Sequence, residues 1–169
     1  LVVGPGVRTG IRIRTDNPAE VGADLVANAV AAYQRFESNC IVVDFGTALT
    51  FTAVAKPGDL LGVAIAPGLH AAASALSAKT AQLPQVQMTE PPAAIGRNTV
   101  HSIQSGLVYG YVGLVESLID RMSVELGGEV KAIATGGLAR ILTPLTGRFA
   151  AVEPWLTLDG LRFIALRNR

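Results

Sequence analysis

The chain has 169 residues, half of them hydrophobic and 16% charged, with a formal net charge of +1. This composition supports a sizeable core, excludes a disordered chain and gives no electrostatic reason to expect nucleic acid or an anionic membrane surface as a partner. The single cysteine, Cys40, excludes an internal disulfide framework, argues against a zinc cluster and fits a reducing compartment, the cytoplasm. The longest apolar run, "IQSGLVYGYVGLV", is shorter than the roughly 18 to 20 residues that a membrane span needs, and no basic leader precedes an apolar block.

In chain order, "LVVGPG" reads as the tail of a strand entering a turn, which suggests that something precedes Leu1. An alternating "IRIRTDN" follows. Asn17 and Pro18 open a helix as N-cap and first position. "PAEVGADLVANAVAAYQRF" is helical, with a possible restart at Ala23 or Asp24 after Gly22, and "ESN" closes it. "CIVVDFGTALTFTAVA" is a strand pair or one strand kinked at Gly46. "KPGD" is a turn and "LLGVAIAPG" a further strand, which makes an antiparallel meander. "LHAAASALSAKTAQL" is a helix stopped by Pro84, and a loop follows it. From Asn98 or Thr99 to Leu126 runs a helix on the order of 40 Å long, ended by Gly127 and Gly128. "KAIATGG", "LARILTPL", "AAVEP" and "LTLDGLRFIALRN" read as strand, short helix, strand and closing helix, the last capped by Thr157. The expected class is α/β, a mixed sheet with helices packed on it.

Four places could carry chemistry. The turn at Gly46, with Thr47 and Thr50 adding hydroxyls, could cradle a phosphate, and Asp44 at the strand end could hold a cation. A β-bulge at Gly46 with threonines on the solvent face explains the same spacing equally well. "ATGGLA", residues 134–139, is a second glycine turn between strand and helix and could admit an anion at Gly136 and Gly137. Asp24 sits near a helix N-terminus, where the dipole keeps it ionised as a general base requires, although capping alone accounts for it. Thr99 and Asn98 open the long helix and could meet a polar substrate, with N-capping again the simpler account. His70 and His101 are not spaced as metal ligands and are taken as surface or interface residues. Gly106, Gly110 and Gly113 line one side of the long helix and, with Tyr109 and Tyr111 nearby, favour a dimer seam there.

Together these stretches resemble the type III pantothenate kinases. "GPGVRTGI", "DNPAEVGAD", "NAVAAY", "IVVDFGTALT", "GVAIAPG", "TAQLP", "IGRNTV", "QSGLVYGYVGLV", "ATGGLA" and "LTLDGLR" follow the family's order across almost the whole chain. The resemblance implies an actin-like, ribonuclease H-like fold, with residues 1–39 ending a first domain and 40–169 forming a second. It implies ATP-dependent phosphorylation of pantothenate, the first step of coenzyme A synthesis, with Mg²⁺ and a monovalent cation, K⁺ or NH4⁺. It implies that Asp24 is the proton acceptor, that Gly22, Ala23, Asp24, Leu25 and Thr99 contact substrate, and that Gly46, Thr47, Gly136 and Gly137 meet the nucleotide. Asp44 would hold the cation, and a homodimer would form through the long helix. The sequence departs from the family at Leu25, usually Arg, for which Arg97 could substitute, and at Thr52, often an acid. The family's opening Asp-x-Gly-Asn-Thr phosphate turn is also absent, with roughly the first third of a typical member. The chain alone is therefore expected to bind ATP poorly and to turn over little. The rival readings are a Bvg accessory factor-like regulator of transcription and another actin-like kinase acting on a different alcohol.

Overall fold

The computed structural model describes residues 2–79 and 84–169. One six-stranded sheet organises them, in the order β1-β4-β3-β2-β5-β6. Its centre is the expected meander of β2 (Asn39–Phe45), β3 (Ala48–Ala55) and β4 (Asp59–Pro67). These strands pair antiparallel, with Asp44 opposite Thr50 and Val42 opposite Thr52. On the other side of β2, β5 (Val130–Thr135) and β6 (Phe149–Val152) add in parallel, with Thr135 beside Asp44. The edge strand β1 (Arg12–Ile13) pairs in parallel with β4.

Period-two alternation in β2 sends its side chains to two covered faces. Ile41, Val43 and Phe45 join Leu49 and Phe51 under the long helix α3 (Thr99–Leu126), against Ile103, Leu107, Val115 and Ile119. Cys40 and Val42 join Val54, Leu60 and Ile133 on the opposite face, with Ala29, Ala32 and Leu156. That second face is covered by α1 (Ala23–Phe36) and the closing helix α5 (Leu156–Arg167). The remaining helices are α2 (Leu69–Lys79) and the short α4 (Ala139–Leu142). Burial lifts the Cys40 thiol to about 11, so it stays protonated at neutral pH.

Several expectations are corrected. Among the described residues the segment from Val2 forms no strand before β1: Gly4, Pro5 and Gly6 turn the chain, and only Arg12 and Ile13 of the alternating segment find a partner, the edge of β4. A three-residue 3₁₀ turn, Pro18–Glu20, follows the Asn17 cap, and α1 starts afresh at Ala23 with Gly22 as its N-cap. Gly46 lies in the turn between β2 and β3, and the irregular pairing falls at Ala53 and Val54 instead. Thr52 faces inward, 1% exposed, rather than toward solvent. Thr157 does not cap α5, because the helix begins one residue earlier and its hydroxyl is used elsewhere. Residues 80–83, the expected end of α2, lie outside the described residues. No helix among the described residues is long and apolar enough to cross a membrane.

Candidate active site

The candidate site forms where α1 passes over the C-terminal end of β2. Asp24 stands in the first turn of α1, exposed, with its Oδ1 folded back against Gly22; a Cβ on that glycine would lie within contact distance of the oxygen. One helical turn further on the same face comes Asn28, fully buried. Its Nδ2 donates to Asp44 Oδ2 at 3.0 Å. Its Oδ1 accepts from the Thr157 hydroxyl of α5 at 2.7 Å. Asn28 thus links Asp44 to the helix that opens with Asp24, whose charge acts on the Asp44 carboxyl.

Asp44 is half-buried, and burial pushes its carboxyl above the ordinary range. The Asn28 hydrogen bond pulls the other way, and the Asp24 charge adds to the rise. No cationic side chain is among the groups acting on it. A carboxylate with Oδ1 against two glycine turns, and with the Asp24 charge acting on it, suits a bound cation as counterion. The donor set thus fits the hard-oxygen chemistry expected of a monovalent cation.

The two glycine turns converge on the same strand end. Gly136, at φ +91°, is so placed that a Cβ would come within 2.5 Å of Asp44 Oδ1 and 2.7 Å of the Phe45 backbone. Only glycine satisfies both the dihedral and the contact. The other turn is pinned from behind, where Gly68 N donates to Thr47 O at 3.1 Å. Gly46 and Thr47 face Gly137 and Leu138 across a cavity of about 510 Å³, completed by His70, Ala71 and Ser74 of α2. A second cavity, about 730 Å³, lies between the N-terminal segment and the start of α1, and includes Val7, Ile11, Val21 and Ala23.

The remaining candidates lie as follows. Leu25 points into the core and is 9% exposed, so its side chain does not face the crevice as a polar grip would. Thr99 is exposed at the start of α3, behind an Asn98 cap that accepts from His101 N at 2.9 Å, and is not among the residues lining the 510 Å³ cavity. Arg97 is exposed in the preceding bend. Asn28 escaped the reading of the sequence as a site residue. Its signal was a lone amide four residues after Asp24, on an otherwise alanine- and valine-rich face. His70, taken as a surface or interface residue, is exposed and lies on the wall of the 510 Å³ cavity.

A mixed five-stranded core with the order β4-β3-β2-β5-β6, its second strand antiparallel and helices on both faces, defines a ribonuclease H-like domain of the actin-like ATPase class. In agreement, a crystal structure from Campylobacter jejuni, described as a Baf family transcriptional activator, superposes with a TM-score of 0.66 at 22% identity, covering 92% of this chain and 68% of that one. The sequence profile of the type III pantothenate kinases matches residues 1–121. The chain is 51% identical over 168 residues to the type III pantothenate kinase of Moorella thermoacetica and 54% identical over 169 residues to that of Anaeromyxobacter sp.. These alignments cover 99% and 100% of this chain, which spans 66% of the length of either relative. The chain belongs to the type III pantothenate kinase family.

Proposed function

We propose that this chain supplies the general base and part of the nucleotide site of an enzyme that transfers the γ-phosphoryl group of ATP to the primary hydroxyl of pantothenate. The observation that carries the reading is Asp44 set against both glycine turns and tied through Asn28 to the helix that opens with Asp24. Family membership supplies the substrate.

Phosphoryl transfer asks the protein mainly for alignment and charge neutralisation. Asp24, exposed in the first turn of α1, accepts the hydroxyl proton as the oxygen bonds to the γ-phosphorus and ADP departs. General-base help of this kind contributes on the order of 10²–10⁴ in rate. Gly46, Thr47, Gly136 and Gly137 form the walls against which the nucleotide lies, and Gly22 and Ala23 border the acceptor alcohol. Asp44 would hold a K⁺ or NH4⁺ ion, which with the Mg²⁺ accompanying ATP would offset triphosphate charge. Thr99 reaches substrate from a second copy of the chain, paired along α3. In this reading residues 1–39 end one actin-like unit and 40–169 form the next; apart from Asn39, the first residue of β2, the five-stranded core falls within the second span. The cytoplasm is the proposed setting.

The test is pantothenate-dependent release of ADP, with 4'-phosphopantothenate identified by mass. It is run on a protein of the relatives' length carrying this sequence. Turnover that needs pantothenate supports the reading. ATP consumption indifferent to pantothenate overturns it in favour of another actin-like kinase, and no consumption overturns it in favour of a regulatory protein on the same fold. For the 169-residue chain alone, calorimetric titration with ATP should show no micromolar binding.

A further inference from the structure

The hydrogen-bond relay behind Asp44 joins three elements far apart in sequence. An ionised Asp44 can only accept, so Asn28 must turn Nδ2 toward it. Asn28 Oδ1 then faces α5, where the Thr157 hydroxyl donates to it. With one carboxylate oxygen occupied by Asn28, the other, Oδ1, lies beside the glycine turns: a Cβ on Gly46 would stand 3.4 Å from it and one on Gly136 2.5 Å. Thr157 reaches Asn28 because α5 crosses α1 with almost no space between the backbones. Gly160, one turn later, lies against the Ala27 carbonyl so closely that a Cβ would overlap it.

We propose that Thr157 and Asn28 are positioning residues that lock the Asp44 carboxylate in its cation-binding orientation, so that the closing helix tunes a site it does not touch. The inference rests on the reading of Asp44 as a monovalent-cation ligand. Without the Thr157 donor, Asn28 Oδ1 is left buried and unpaired, and the amide loses the contact that fixes its orientation. Asp44 is then no longer held with Oδ1 toward the turns. Losing an outer-shell partner of this kind weakens metal affinity about 10- to 100-fold.

The experiment is a thermal-unfolding titration of the 169-residue chain with KCl against tetramethylammonium chloride at constant total chloride. Ligand that binds only the folded state raises Tm with a midpoint set by its affinity. Wild type should give a saturable K⁺-dependent rise. Thr157→Ser keeps the hydroxyl and should keep the midpoint, whereas Thr157→Val should move it upward at least about tenfold. If the valine variant does not fold, Thr157→Ala takes its place with the same expectation. A wild-type midpoint in the variant lacking the hydroxyl, even with a lower Tm in tetramethylammonium, overturns the positioning role and leaves the cation reading intact. No saturable rise in wild type overturns the cation reading and the relay with it.

Discussion

Gly160→Ala measures how far the crossing of α1 and α5 governs the fold. A Cβ at this position would fall 1.9 Å from the Ala27 carbonyl oxygen and 2.5 Å from its carbonyl carbon. Both are backbone atoms inside α1 and cannot swing aside as a side chain would. Restoring ordinary contact requires the helices to separate locally by about 1.5 Å. Separation loosens Val26 and Val30 against Ile164, the small cluster these helices share. Helix propensity alone would favour alanine by about 1 kcal/mol. Overpacking costs about 1–3 kcal/mol, and more where backbone must move. The expected net effect is a loss of about 2 kcal/mol, or a fall in Tm of roughly 4–8 °C for a domain of this size. The matched control is Gly110→Ala in α3, where a Cβ meets nothing within 4 Å inside the chain, measured at a dilution where the chain is monomeric so that only the propensity gain operates. That variant should gain about 0.5–1 kcal/mol. Circular-dichroism melts and urea titrations of both variants decide the matter. A Gly160→Ala protein stabilised like its α3 counterpart would refute the steric reasoning.

Two further substitutions test the face of the sheet beneath α1. Thr52 Oγ1 is buried without a hydrogen-bond partner, so Thr52→Val, which keeps the shape and removes the hydroxyl, should stabilise by about 1 kcal/mol in urea titration; a comparable loss would show that the hydroxyl is satisfied in solution. Asp44 has its carboxyl raised by burial and by Asp24, with Asn28 opposing. A group whose folded value exceeds its unfolded one stabilises fully below the unfolded value, and that contribution is lost as pH rises through the folded value. Asp44→Asn should therefore raise Tm at pH 7.5 in tetramethylammonium buffer, with the gap closing as pH falls through the acid range. A variant less stable than wild type at pH 7.5, or a gap that widens on acidification, contradicts this electrostatic account.

Where local rules govern, the elements could be read directly. The apolar run in "CIVVDFGTALTFTAVA" marked strand, the proline-glycine turn gave the meander, and a cap at Asn98 with glycines after Leu126 bounded α3. The misreadings share one cause, a partner far off in the chain. Thr157 looks like an N-cap by its neighbours, yet its hydroxyl meets Asn28, 129 residues earlier. Gly160 drew no reading from its neighbours, and its place against Ala27 is another such distant contact. The alternating "IRIRTDN" promised a longer strand, but its pairing ends at Arg12 and Ile13. Of the site, Asp24, Asp44 and the glycine turns were visible as types in suggestive places. Their convergence rested on resemblance, because no spacing rule places a helix start over a strand end.

The central claim is that Asp24 takes the substrate proton in a crevice shared with Asp44. The most direct measurement is pantothenate-dependent ADP release by the Asp24→Asn variant beside wild type, both in a protein of the relatives' length carrying this sequence. The side chain is exposed, so the exchange should leave the melting curve within about 0.5 kcal/mol of wild type. Turnover should fall on the order of 10²-fold or more. A well-folded Asp24→Asn protein with wild-type turnover would contradict the account.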